Sequence, residues 1–173
     1  MDDQPPPDKC DHLMTGMKLI ERQLYTTAIE FFRPEVIVAA GADRAIAHYG
    51  LATALLRNRR LQHTRAEIQE IIQHYDQAIT VAPKFSDASL MCGYAYEELA
   101  FRLFDTYKQA PHENGPGKIA EVRHAISQAA ECFRKAGALN PKFAQCANAD
   151  IEGCAGLERT VQTMVAYFDE NRN

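Results

Sequence analysis

The chain has 173 residues, a net charge of -4 and 24% charged residues, enough for one domain of ordinary size. It lacks the clustered basic face of a nucleic-acid binder, and no apolar run reaches the roughly 18 residues that a membrane span needs. The acidic, proline-rich start over 1–8 has neither the basic opening and apolar stretch of a secretory signal nor the arginines of a transit peptide; a disordered tail there and a cytoplasmic or cytosol-facing location are the expectations.

The first unit spans 9–42. Asp11 is a start signal, and Leu13, Met17 and Ile20 recur at helical spacing. A turn is expected around Gln23 to Tyr25. In the returning helix, Tyr25-x2-Ala28-x3-Phe32, Ala28 is small enough for close approach and Phe32 fills the space between successive hairpins. A proline inside a helix costs about 3 kcal/mol, so the helix should kink or end at Pro34 and restart at Glu35.

The second unit spans 43–85. Asp43 suits an N-cap, Ala45, Gly50 and Leu51 lie on the first helix, and that helix ends near Arg60. The run Arg57-Asn58-Arg59-Arg60 complements a helix C-terminus. Thr64-x2-Glu67 has the spacing of a capping box and starts a helix over 64–81, with Ile68, Ile71, Ile72, Tyr75 and Ile79 as its apolar stripe.

The third unit spans 86–143. Ser86 and Asp87 should cap a helix that continues through Leu99, Phe101 and Phe104. Residues 108–117 hold two prolines and two glycines, the composition of an exposed loop. A second helix is expected from near Lys118 to near Ala138, burying Ile119, Val122, Ile126, Ala129, Phe133 and Ala136. A final capping helix falls within 144–173, with Ala147, Ile151, Cys154, Val161, Val165 and Phe168 turned to the last hairpin. No segment alternates as a half-buried strand does, so the fold class is all-α.

One pattern recurs. Tyr75-x2-Ala78-x4-Pro83 is echoed by Phe133-x2-Ala136-x4-Pro141, and Ala88-x4-Gly93-x2-Tyr96 and Gly16-x2-Leu19 supply the matching first helices. The pattern resembles the tetratricopeptide repeat (TPR). The resemblance implies a right-handed helical solenoid of three TPR-like hairpins plus a C-terminal capping helix. The second and third hairpins exceed the 34-residue period by about nine and roughly 24 residues. The stretch over 50–83, with Lys84-Phe85-Ser86-Asp87 and Cys92-Gly93-Tyr94-Ala95-Tyr96 after it, also resembles the plant-type mitochondrial outer-membrane presequence receptor. That likeness implies mitochondrial protein import and a mitochondrial location. Type III secretion chaperones with three TPRs are similar in size and acidity, but their hairpins are not usually stretched in this way.

Chemistry is hard to find. The histidines, at 12, 48, 63, 74, 112 and 124, include no i, i+4 metal pair. Glu97 and Glu98 are adjacent, so they point to different sides of a helix. There is no nucleophile elbow and no phosphate-cradling glycine loop. The five cysteines form no C-x2-C pair; Cys92, Cys132 and Cys154 fall on apolar positions and read as reduced, small hydrophobes. The expectation is a non-enzyme without metal or cofactor.

The TPR resemblance implies an inner groove lined by the first helix of each hairpin. Projected onto this chain, the lining is Leu13, Met17, Ile20 and Glu21, then Arg44, Ala47, Leu51, Ala54 and Leu55, then Asp87, Leu90, Tyr94, Glu97 and Glu98. An apolar floor with an acidic end suits a protein or peptide partner: an amphipathic helix, apolar side down, with basic residues toward Glu97 and Glu98. The competing expectation is a structural subunit or assembly factor of a larger complex, its apolar faces permanently covered. A chaperone-type carboxylate clamp is excluded, because the matching positions hold Leu13, Met17, His48, Asp87 and Met91 instead of cations.

Overall fold

Each helix folds back on the one before it. The computed structural model describes residues 9–58 and 63–170, without the side chains of 9–11 and 111–116. Helices α1 (Lys9–Glu21) and α2 (Tyr25–Val38) form the first hairpin, α3 (Gly41–Asn58) and α4 (Arg65–Val81) the second, α5 (Ser86–Gln109) and α6 (Pro111–Leu139) the third. A 3-10 turn, Pro141–Phe143, leads into α7 (Ala144–Glu170). Hairpins stack in order through α2 on α3, α4 on α5 and α6 on α7, while α1 meets α3 and α3 meets α5. The result is an all-α solenoid, with no strand among the described residues.

Large rings set into glycine notches explain the stacking. The Phe32 ring lies against both Gly16 and Gly50, so it wedges α2 between α1 and α3. Phe133 fills the corresponding notch at Gly93. A mid-helix glycine costs about 1 kcal/mol relative to alanine; here it lets the backbones approach closely enough to enclose the ring. Ala28, Ala78, Ala129 and Ala136 are fully buried at the helix crossings. Phe32, with Leu13, Ile20 and Leu51, centres one core cluster, and a larger one extends from Ala52 to Val161.

The turns follow from local backbone chemistry. Gln23 takes the left-handed conformation (φ 61°). Its N–H reaches the Ile20 carbonyl, and that of Leu24 reaches Leu19, both at 2.9 Å, which is the Schellman closure of a helix end. The Thr64–Glu67 capping box is present on both sides: the Thr64 N–H donates to Glu67 Oε2 at 2.8 Å, and the Glu67 N–H donates to Thr64 Oγ1 at 3.3 Å.

Several sequence expectations are corrected. Helix α2 does not end at Pro34; it runs on to Val38. Val36 and Ala39 pack on the first core cluster, and the Ala39 N–H bonds to Glu35 O, so packing holds the turn despite the missing proline N–H. Helix α3 starts at Gly41, leaving Asp43 in its first turn. Phe85, not Ser86 or Asp87, precedes α5, and no side chain caps that end; the Ser86 hydroxyl donates to the Asp87 carboxylate instead, at 3.2 Å.

The largest correction concerns the loop expected over 108–117. That stretch is helical except at Ala110, whose φ of -145° and ψ of 66° make the whole connection between α5 and α6. Pro111 occupies the first position of α6, where the N–H it lacks would have no partner. Buried Leu103, Phe104 and Tyr107 on α5, with Ile119 and Val122 on α6, continue the apolar seam toward the tip. The tail over 1–8, Arg59 and Arg60, and the side chains of Cys10, Asp11 and His112 lie outside the described residues.

Candidate protein-binding groove

Helix α5 presents Met91, Tyr94, Glu98 and Phe101 at intervals of three and four residues, so they share one face. Opposite that face stand Tyr25, the first residue of α2, and Leu56 and Arg57 from the last turns of α3. Together with Glu97 they line an open groove of 610 Å3. It opens between the last turns of α3 and the middle of α5, with the start of α2 at its side. Leu56 is buried in the floor, whereas Phe101 stays 46% exposed at the rim.

One end of the groove is acidic. The Tyr94 hydroxyl donates to Asp150 Oδ2 on α7 at 2.9 Å. Burial, that hydrogen bond and the charges of Asp150 and Glu97 all push the Tyr94 phenol up, so it stays neutral. Nearby Cys154 is raised to about 11, first by burial and then by Glu97 and Asp150. Glu98 accepts from Arg102 Nε at 3.1 Å, one helical turn along. Such a half-exposed pair contributes little and exchanges readily for another cation. Arg57 supplies the opposite charge at the α3 edge.

Of the residues projected onto a groove, Tyr94, Glu97 and Glu98 are brought together here. Leu13, Ala47 and Leu51 are not groove residues: each is buried in the first core cluster and presents no surface. Ile20 and Ala54 are buried with them. Met17 and Leu90 are half-buried against the core. Leu55 lines a separate 220 Å3 cavity with Ile29, Arg33, Asn58, Glu67 and Glu70. The groove residues missing from the projection are Tyr25, Leu56, Arg57, Met91 and Phe101. The i, i+3, i+7, i+10 pattern of 91, 94, 98 and 101 was readable; the meeting of that face with Leu56, Arg57 and Tyr25 joins three helices and is not.

The second hairpin holds a histidine pair that spacing along the chain does not reveal. His48 Nδ1 on α3 and His74 Nδ1 on α4 are 3.0 Å apart, so one carries the hydrogen and donates it to the other. His48 Nε2 is buried without a partner. Burial lowers the pKa of His48 to about 4, with help from His74 and Arg44; burial and then Arg33 lower that of His74. No set of three or more His, Cys, Asp or Glu side chains among the described residues has the arrangement to hold a metal ion. No helix among them is long and apolar enough to cross a membrane.

These features define a class: an all-α solenoid of TPR-like helical hairpins with an open, partly acidic groove. Neither a family model nor a curated protein matches the chain. A solved structure described as "MamA RS-1 ArsTM double mutant" is 17% identical, with 94% of this chain and 98% of that chain covered, at a TM-score of 0.39. A likeness that distant carries no argument about function.

Proposed function

We propose that the protein is a non-catalytic adaptor or receptor that takes an amphipathic helical segment of a protein partner into the α3–α5 groove. The carrying observation is the α5 stripe: Met91, Tyr94 and Phe101 face Tyr25 and Leu56 across an open space. Apolar surface left open between rigid elements marks an interface. The partner's apolar side rests on Leu56, Met91 and Phe101. Its lysines or arginines face Glu97 and Glu98, displacing Arg102. A basic amphipathic import presequence is the narrower ligand that the resemblance to the mitochondrial receptor implies.

Titration calorimetry of the full chain with a basic amphipathic helical peptide tests this reading. Binding should weaken as salt rises, because exposed charges are screened over about 10 Å at 0.1 M. It should also weaken in Glu97→Gln/Glu98→Gln. Equal binding of an acidic peptide of the same apolar pattern would remove the charge assignment, and no binding of either peptide would remove the groove assignment.

A second reading, a subunit held permanently in a larger assembly, is favoured by a different observation. Ile37 and Val38 are 82% and 72% exposed, at the opposite end of α2 from the groove residue Tyr25. If that corner is a permanent contact, the isolated chain self-associates and Ile37→Ser/Val38→Ser restores a monomer.

A further inference from the structure

The 220 Å3 cavity lies where α2, α3 and α4 meet, and it shares no residue with the groove. Its polar lining includes Arg33, Asn58, His63 and Glu70. His63 stands just ahead of the Thr64 cap of α4 and is 5% exposed. Its Nε2 lies 3.0 Å from the Leu55 carbonyl. A carbonyl only accepts, so Nε2 carries the hydrogen and donates it, and in the neutral ring Nδ1 is left as an acceptor. Nδ1 is buried and has no partner among the described residues. A buried polar atom without a partner is costly. A donor placed in the cavity removes that cost.

The charges on the walls are also unmatched. Arg33 on α2 and Glu70 on α4 border the same space, yet no ion pair joins them. Glu67, one turn before Glu70, is engaged by the Thr64 cap. That leaves Glu70 to receive a cation and Arg33 to receive an anion. Ile29, Leu55 and Ile71 complete the wall with apolar surface.

We propose that this cavity binds a free amino acid with a branched aliphatic side chain. The carboxylate of the ligand pairs with the Arg33 guanidinium, a geometry that permits two parallel hydrogen bonds. The ammonium group donates to Glu70 and to Nδ1 of His63, so the orphaned acceptor is satisfied. The aliphatic side chain rests on Ile29, Leu55 and Ile71. Size agrees. The cavity is smaller than the roughly 300–1,000 Å3 of sites for drug-sized ligands, and it holds several waters at about 30 Å3 each, the scale of a small metabolite.

Nuclear magnetic resonance of the full chain, with histidine ring nitrogens and isoleucine methyl groups labelled, tests the site. L-leucine or L-valine should move the His63 Nδ1 signal and the methyl signals of Ile29 and Ile71 along one saturation curve. Isocaproic acid is leucine without the amine, and isoamylamine is leucine without the carboxylate. Each should bind about tenfold more weakly than L-leucine or worse, the loss that a missing charge-assisted hydrogen bond entails. Arg33 is exposed, so Arg33→Gln should keep the fold and lower leucine affinity to that of isoamylamine; Glu70→Gln should lower it to that of isocaproic acid. No saturable movement of the His63 signal by either amino acid overturns the proposal. So does equal binding of isocaproic acid or isoamylamine, which would mean an apolar slot without charge recognition. Shifts at Met91 and Phe101 in place of Ile71 would put the ligand in the groove and overturn it as well. The ligand comparison uses the unaltered chain, so a misfolded variant does not blunt it.

Discussion

The ring of Phe32 occupies the space that a side chain on Gly50 would need. That one relationship joins the first hairpin to the second, and Phe133 against Gly93 repeats it within the third. Adding a methyl group at either glycine forces the ring or the backbone to move. Overpacking of this kind costs about 1–3 kcal/mol. Gly50→Ala and Gly93→Ala should each lower urea stability by that amount. Gly153 on α7 is the control, because open space surrounds its Cβ position; Gly153→Ala should gain about 1 kcal/mol from helix propensity alone.

Leu51 and Phe101 separate core from groove. Leu51 is 2% exposed, so Leu51→Ala should cost about 2–5 kcal/mol by leaving a cavity, whatever the chain binds. Phe101→Ala removes a ring that stands at the rim and should change the urea midpoint little. Circular dichroism melts of the two variants check the contrast. Equal losses would mean that Phe101 is structural.

The histidine pair makes the second hairpin sensitive to acid. Both pKa values are lowered in the folded chain, that of His48 from 6.5 to about 4. The unfolded chain therefore binds protons that the folded one refuses. The contribution of the pair is intact above about pH 6.5 and is lost as pH falls from there toward 4, because stability declines wherever the unfolded state binds more protons. His48→Gln should flatten the decline in urea midpoint between pH 7 and pH 5. An unchanged slope would place the acid response on other groups.

Tyr94 and Asp150 tie the groove to α7. Tyr94→Phe keeps the ring, which packs edge-on against Phe133 at 5.1 Å between centroids, and removes only the donor. A loss of about 1 kcal/mol is expected. Hydrogen exchange should rise first in the N-terminal part of α7, around Asp150. Uniform exchange across all helices would show that the bond does not dock α7 in particular.

The helices that carry repeated small residues were legible. Ala78, Ala129 and Ala136 follow the spacing of buried crossings, and the structure buries each of them fully. Thr64 and Glu67 announced a capping box that is present in full. What misled was composition without context. Two prolines and two glycines around 108–117 read as a loop, yet Pro111 at the helix start breaks nothing, and the apolar seam from Leu103 to Val122 carries both helices to the tip in spite of Pro116. The groove was legible only in part for a related reason. Leu13, Ala47 and Leu51 sit on first helices, as groove residues should, but periodicity does not say which side of such a helix the neighbouring hairpin covers. Phe32 and Gly50 bring α2 onto that side. The meeting of His48 with His74 joins different helices and leaves no mark on local spacing.

The central claim is that a helical partner lies along α5, and nuclear magnetic resonance with selectively labelled methyl groups and aromatic rings tests it most directly. On titrating the full chain with a basic amphipathic peptide, signals of Met91, Tyr94, Phe101 and Tyr25 should shift together and saturate together, and Phe101→Glu should abolish the shifts while leaving the remaining spectrum unchanged. Shifts confined to Ile37, Val38 or the outer face of α7, with Met91 and Phe101 unmoved at saturation, would contradict it.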